Sequence, residues 1–121
     1  MFDHNNKPKG IRRIYLATLN SMRAFTWLFK NESAFKQELL LLILAIPVSF
    51  LFEISIKEQV VLILAILFII FTEVINTAIE AVVDRVGLEI HPLSGLAKDL
   101  GSAAVLISLI IASSIWFIIL V

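Results

Sequence analysis

From Val60 to Phe71 the chain is apolar at every position, and Glu73 follows two residues later. No Pro or Gly interrupts Val60 to Val86, so the pattern predicts one continuous helix. At about 100° per residue, Glu73, Asn76, Glu80 and Asp84 fall within about 80° of one another. Their spacing, i, i+3, i+7 and i+11, describes one face. Most of the other positions are Val, Ile, Leu, Ala and Phe. A polar stripe of three carboxylates and an amide therefore runs down an otherwise apolar rod.

Carboxylates are costly in a membrane helix, and there they face a protein interior or water. Asp84, and Glu80 with it, is also explained by a helix end that has left the lipid. Glu73 is not, because it lies about 10 Å further into the apolar run at ~1.5 Å per residue. Three carboxylates on one face repel unless a cation sits among them. Hard oxygen ligands suit Mg²⁺ when a nucleotide supplies the remaining oxygens. The stripe thus fits phosphoryl transfer, and a proton or cation path fits it as well.

The composition agrees with a membrane setting. The 121 residues, enough for one domain, are 60% hydrophobic, against roughly 45–50% in soluble chains. Ten basic residues balance ten acidic ones, which argues against nucleic acid as a partner. The absence of cysteine excludes disulfides and thiolate metal sites. Met1 to Gly10 is polar and expected to fray. No apolar stretch with a small-residue cleavage site follows it, so no cleaved leader is expected.

Ile11 to Lys30 places Ile11, Ile14, Tyr15, Thr18, Met22, Phe25 and Phe29 on one helical face. Arg12, Asn20, Arg23 and Lys30 lie on the other side. A basic amphipathic helix with aromatics lies in a membrane interface; a packed helix of a soluble bundle is the weaker reading beside so apolar a remainder. Asn31 is placed to cap a new helix. The apolar run Leu39 to Phe52 is short for a span, which takes about 20 residues. Counted from Ala34 it is long enough, with Lys36 able to snorkel and Pro47 tolerated as in other membrane helices. Glu53 to Gln59 reads as a polar turn, and Gly87 to Gly95 as a loop. Leu96 opens the last helix, in which Ala103 to Val121 carries no charge. The expected fold is an all-α membrane protein with a single domain, 1–121. It comprises an N-terminal interfacial helix, 11–30, and three membrane helices, 34–53, 60–86 and 96–121.

Orientation follows the basic residues. Lys7, Lys9, Arg12, Arg13, Arg23, Lys30 and Lys36 all precede the first span, while the next turn holds only Lys57. The N-terminus and the Gly87 to Gly95 loop are therefore expected in the cytoplasm, and the C-terminus outside. Three groups then converge on the cytoplasmic interface: the stripe, Glu32 with Arg13, and Glu89, His91, Lys98 and Asp99. Acids for a metal, a lysine for phosphate charge and a deeper acid compose a phosphoryl-transfer site. A lone histidine such as His91 is more often a loop residue than a ligand, and Lys98-Asp99 alone reads equally as an interfacial charge pair. Neither a Walker A loop nor protein-kinase motifs are present. Three spans are too few to surround both faces of the stripe, so an oligomer is expected.

The stretch Glu73-Val74-Ile75-Asn76-Thr77-Ala78-Ile79-Glu80-Ala81-Val82-Val83-Asp84-Arg85 resembles the E-x-x-N-[TS]-A-I-E-x-x-x-D signature of the bacterial integral-membrane diacylglycerol kinases. The stretches Asn31 to Glu38 and Leu93 to Val105 resemble that family too, so the likeness covers nearly the whole chain. It implies a homotrimer with sites shared between neighbouring subunits. It also implies ATP-dependent, Mg²⁺-assisted phosphorylation of diacylglycerol to phosphatidic acid at the bacterial inner membrane. By position, Glu73 matches the catalytic base, and Glu32 and Glu80 the metal carboxylates. Arg13, Asn20, Glu32, Glu80, Glu89, His91, Lys98 and Asp99 match nucleotide positions; Asn76 and Asp84 match supporting ones. Arg13, Phe35, Gln37, Glu38, Glu73, Ser102 and Trp116 match lipid-substrate positions. Asn20 stands where an aromatic is usual, and Met22 where Trp is common.

A related branch phosphorylates undecaprenol, but Val82 to Gly87 and Leu93 to Gly95 look more like the diacylglycerol branch. Outside this family, a proton- or ion-conducting subunit would use Glu73 in the bilayer. It would have no use for Glu89, His91, Lys98 and Asp99 beside the stripe. A purely structural subunit leaves Glu73 unexplained.

Overall fold

Four helices account for most of residues 5–121, the part of the chain described by the computed structural model. They are α1 (Gly10–Asn31), α2 (Ser33–Ser49), α3 (Ile56–Val86) and α4 (Pro92–Leu120). The expected fraying of Met1 to Gly10 falls partly on residues 1–4, outside the described residues.

Local chemistry sets the helix ends. α3 begins at Ile56 rather than Val60 because Ser55 and Glu58 form a capping box. Glu58 N donates to Ser55 Oγ at 3.2 Å, and Ser55 N donates to Glu58 Oε1 at 3.0 Å, which satisfies two otherwise unpaired donors. α4 begins at Pro92 rather than Leu96. Proline loses nothing in a first turn, where its missing N–H would have no partner, and His91 Nδ1 accepts from Leu93 N at 3.1 Å. Asn31 does not cap α2. It closes α1, with its Nδ2 donating back to Trp27 O at 2.9 Å. α2 ends at Ser49, short of Glu53. Pro47, inside its last turn, has no N–H for the Ile43 carbonyl, and beyond it Phe50 N and Leu51 N bond to Pro47 O and Val48 O at 3.2 and 3.0 Å, a tighter turn that ends the helix.

The chain divides into two units, Met1–Lys36 and Gln37–Val121. In the first, Phe25 stacks on Phe35 with ring centroids 6.2 Å apart, and Lys36 Nζ lies 5.5 Å from the Phe29 ring centroid. Leu28 and Phe35 are buried, while Ile11, Ile14, Tyr15, Met22, Phe25 and Phe29 stay exposed.

In the second unit α3 and α4 pack along each other. Ala65, Ile69 and Ala112 are buried together, with Ile115 and Trp116 against them. Small residues at such a contact let helix backbones approach closely. The buried hydroxyls of Thr72 and Ser108 meet at 2.8 Å. Each also reaches a carbonyl of its own helix, Ile69 O at 2.8 Å and Val105 O at 2.6 Å. Trp116 Nε1 donates to Leu62 O at 3.1 Å. With 31 and 29 residues, α3 and α4 are long and apolar enough to cross a membrane. α2, with 17, falls short of the about 20 that a span takes.

Candidate active site

The polar stripe sits on α3 as one face. Glu73, Asn76 and Glu80 are half-buried and Asp84 is exposed, while Ile75 and Val82 face outward between them. Each level of the stripe has its own partner within the second unit. At the Glu73 level, the carboxyl group of Glu38 on α2 lies beside that of Glu73. Glu38 Oε2 is buried without a partner.

At the middle level, Asn76 Nδ2 donates to Glu80 Oε1 at 3.4 Å. Asn76 Oδ1 is buried with no hydrogen-bond partner, and it faces Gly101 of α4. At the last level, Lys98 Nζ lies 2.8 Å from Asp84 Oδ1 in an ion pair whose two side chains are about half exposed. Beside that pair is a cavity of about 280 Å³, lined among others by Asp84, Glu89, His91, Ser94 and Lys98.

This cavity suits an anion that arrives with a cation. Lys98 supplies a full positive charge, and the first turn of α4 adds the partial positive charge of a helix N-terminus. Asp84 and Glu89 supply hard oxygens. Among the described residues no three of His, Asp or Glu cluster closely enough to hold a metal by themselves. A divalent ion held by these residues would take further oxygens from elsewhere, as Mg²⁺ does when it binds through one or two carboxylates and nucleotide phosphates. That donor chemistry fits the carboxylates of the stripe.

The remaining expected site residues fall in both units. In the first unit Arg13 is exposed, and Asn20 accepts a hydrogen bond from Arg23 Nη2. Glu32 is half-buried at the junction of α1 and α2, where its N–H bonds to Leu28 O at 2.8 Å. Phe35 is buried against Phe25. In the second unit Gln37, Asp99 and Ser102 are exposed. Trp116 lines an apolar cavity of about 230 Å³ with Leu41, Ile66, Ile69 and Ala112 among others. Ser94, on the polar cavity wall, and Gly101, behind Asn76, were not singled out by sequence reasoning. Gly101 carried a signal: it lies inside the helix expected from Leu96, where a glycine costs about 1 kcal/mol relative to alanine.

The sequence profile of the family described as Prokaryotic diacylglycerol kinase matches residues 19–120. The chain is 45% identical to a diacylglycerol kinase of Pseudomonas aeruginosa, over 92% of this chain and 90% of that one. It is 42% identical to the diacylglycerol kinase of Escherichia coli K12, over 95% and 94% of the two chains. It is 40% identical to that of Haemophilus influenzae, over 91% and 93%. A membrane-type helix pair, a carboxylate stripe and this continuous likeness place the chain in the prokaryotic diacylglycerol kinase family.

Proposed function

We propose that this chain transfers the γ-phosphoryl group of ATP to the free hydroxyl of diacylglycerol, giving phosphatidic acid and ADP at the cytoplasmic face of a bacterial inner membrane. The observation that carries this reading is the division of labour along α3. Glu73 lies about 10 Å from Glu80 and about 16 Å from Asp84 at ~1.5 Å per residue. The polar cavity with Lys98 opens at the Asp84 end. A span of about 20 residues counted from Val60 ends near Ile79. Glu73 thus falls at lipid depth, and Glu80 and Asp84 fall at the water boundary.

Diacylglycerol keeps its acyl chains in the bilayer and brings its hydroxyl up to Glu73. ATP enters from the cytoplasm into the cavity beside Asp84, Glu89 and His91. Glu32 and Glu80 are the carboxylates for Mg²⁺. Bound there with the nucleotide, Mg²⁺ would supply neutralisation of the phosphate charge. Lys98 exchanges Asp84 for phosphate oxygens. Glu73 accepts the hydroxyl proton as the substrate oxygen attacks the γ-phosphorus, and the bond to ADP breaks. Arg13, Asn20 and Asp99 complete the nucleotide contacts; Phe35, Gln37, Glu38, Ser102 and Trp116 line the lipid path.

α1, with its exposed apolar face, lies in the membrane interface, and α2 with the turn after Ser49 is the third span, so that one membrane kinase domain results. The active particle is a homotrimer in which the first unit of one subunit supplies residues to its neighbour's stripe. The N-terminus is cytoplasmic and the C-terminus is outside. The test is ATP consumption by the purified protein in lipid micelles. It should require both diacylglycerol and Mg²⁺, and undecaprenol should be a poor acceptor. ATP consumption that ignores diacylglycerol, or that prefers undecaprenol, would overturn the assignment.

A further inference from the structure

We propose that Gly101 is a positioning residue, a notch in α4 that seats the Asn76 amide so that its Nδ2 holds the Glu80 carboxylate. The inference rests on the reading of Glu80 as a metal ligand. Gly101 is buried against α3. An alanine Cβ at this position would overlap Asn76 Oδ1 and press on Asn76 Cγ at 3.2 Å. The next nearest atom is Ile79 Cδ1, at an ordinary 3.6 Å. The demand for glycine therefore comes from the amide alone, and the rest of the α3 surface has room for a methyl group.

The amide orientation points the same way. Asn76 Oδ1 is buried without a partner, which is costly for an acceptor. Turning the amide over would set that oxygen against the Glu80 carboxylate and lose the 3.4 Å contact from Nδ2. The side chain keeps its N–H toward Glu80 and rests its unpaired oxygen on the Gly101 backbone, where no side chain stands in its way. Carboxylates that ligate metals are usually held by a hydrogen bond of this kind, and its loss typically costs 10–100-fold in metal affinity.

The test compares Gly101→Ala, Asn76→Ala, their combination and Glu80→Gln, each purified in lipid micelles. Mn²⁺ is titrated onto each with a non-hydrolysable ATP analogue and followed by electron paramagnetic resonance. The Michaelis constant for diacylglycerol and thermal unfolding are measured beside it. Gly101→Ala and Asn76→Ala should each weaken Mn²⁺ binding about 10-fold and leave the diacylglycerol constant unchanged. The double variant should fold stably, because the overlap is gone, and should bind Mn²⁺ no worse than Asn76→Ala. Wild-type Mn²⁺ affinity in Gly101→Ala, or additive losses in the double variant, would overturn the positioning role while Glu80→Gln still loses the metal. If Glu80→Gln itself keeps full Mn²⁺ affinity, the metal reading fails, and the role of Gly101 fails with it.

Discussion

Replacing Glu73 by Gln separates the proposed base from the proposed metal site. The two side chains are close in volume, and glutamine retains hydrogen-bonding groups for Glu38, so the α2–α3 contact at this level has a substitute. What disappears is the ability to take a proton. General-base catalysis typically contributes 10²–10⁴-fold, so kcat should fall at least ~100-fold, about 2.7 kcal/mol of barrier. The nucleotide end should hardly notice. Glu80 lies two turns away, about 10 Å at ~1.5 Å per residue, and Asp84, with Lys98 of α4 paired to it, lies further still along α3. Initial rates in mixed micelles, with Mg²⁺-ATP varied at saturating diacylglycerol, give kcat and the nucleotide constant; calorimetric titration with a non-hydrolysable analogue gives binding directly. Loss of analogue binding with turnover retained at saturating ATP would make Glu73 a metal ligand, and the depth argument would fall.

Glu80→Gln and Glu32→Gln should each raise the Mg²⁺ concentration needed for half-maximal turnover, since each removes an anionic hard oxygen; an unchanged Mg²⁺ dependence would remove that residue from the ligand set. Lys98→Ala should lower kcat/KM for ATP with little change in the diacylglycerol constant, and an unchanged kcat/KM would show that Lys98 serves only its ion pair with Asp84. Ser108→Ala removes a buried interhelical hydroxyl contact and should cost about 0.6 kcal/mol, with ~1.7 as the upper bound for such contacts in membranes, read from reversible unfolding in detergent. Native mass spectrometry from micelles should find trimers in the active fraction, and active particles that are all monomeric would refute site sharing.

Periodicity sufficed for the helix order and the stripe, because both follow from the 3.6-residue repeat. Glu73, Asn76 and Glu80 lie on one half-buried face as their spacing requires. The helix starts lie upstream of the apolar runs, at local capping signals. Ser55-x-x-Glu58 is a capping box written in the sequence, and Pro92 marks a first turn. Asn31 misled because an asparagine that can cap the next helix can equally bond back into the one it ends. Of the stripe's partners only Lys98 was legible, because the orientation that brings the Asp84 end to one interface brings the start of the last helix there too. That Asn76 rests on Gly101, or that Glu38 meets Glu73, depends on how the helices pack, and a single sequence states no neighbour across a helix boundary. The Thr72–Ser108 contact is hidden for the same reason, since each hydroxyl alone looks like a small helix residue bonded to its own carbonyl.

The hydrogen bond from Trp116 to the Leu62 carbonyl also makes this chain a convenient optical subject. The sequence has two tryptophans, and they fall in different units: Trp27 on α1 and Trp116 on α4. In a Trp27→Phe background all indole emission comes from a ring fixed at the α3–α4 seam, beside an apolar cavity. Its colour then reports that seam's polarity and its quenching reports access from the bilayer. Brominated lipids of graded depth would locate Trp116 along the membrane normal, turning one interhelical hydrogen bond into a ruler for how deep the two long helices sit.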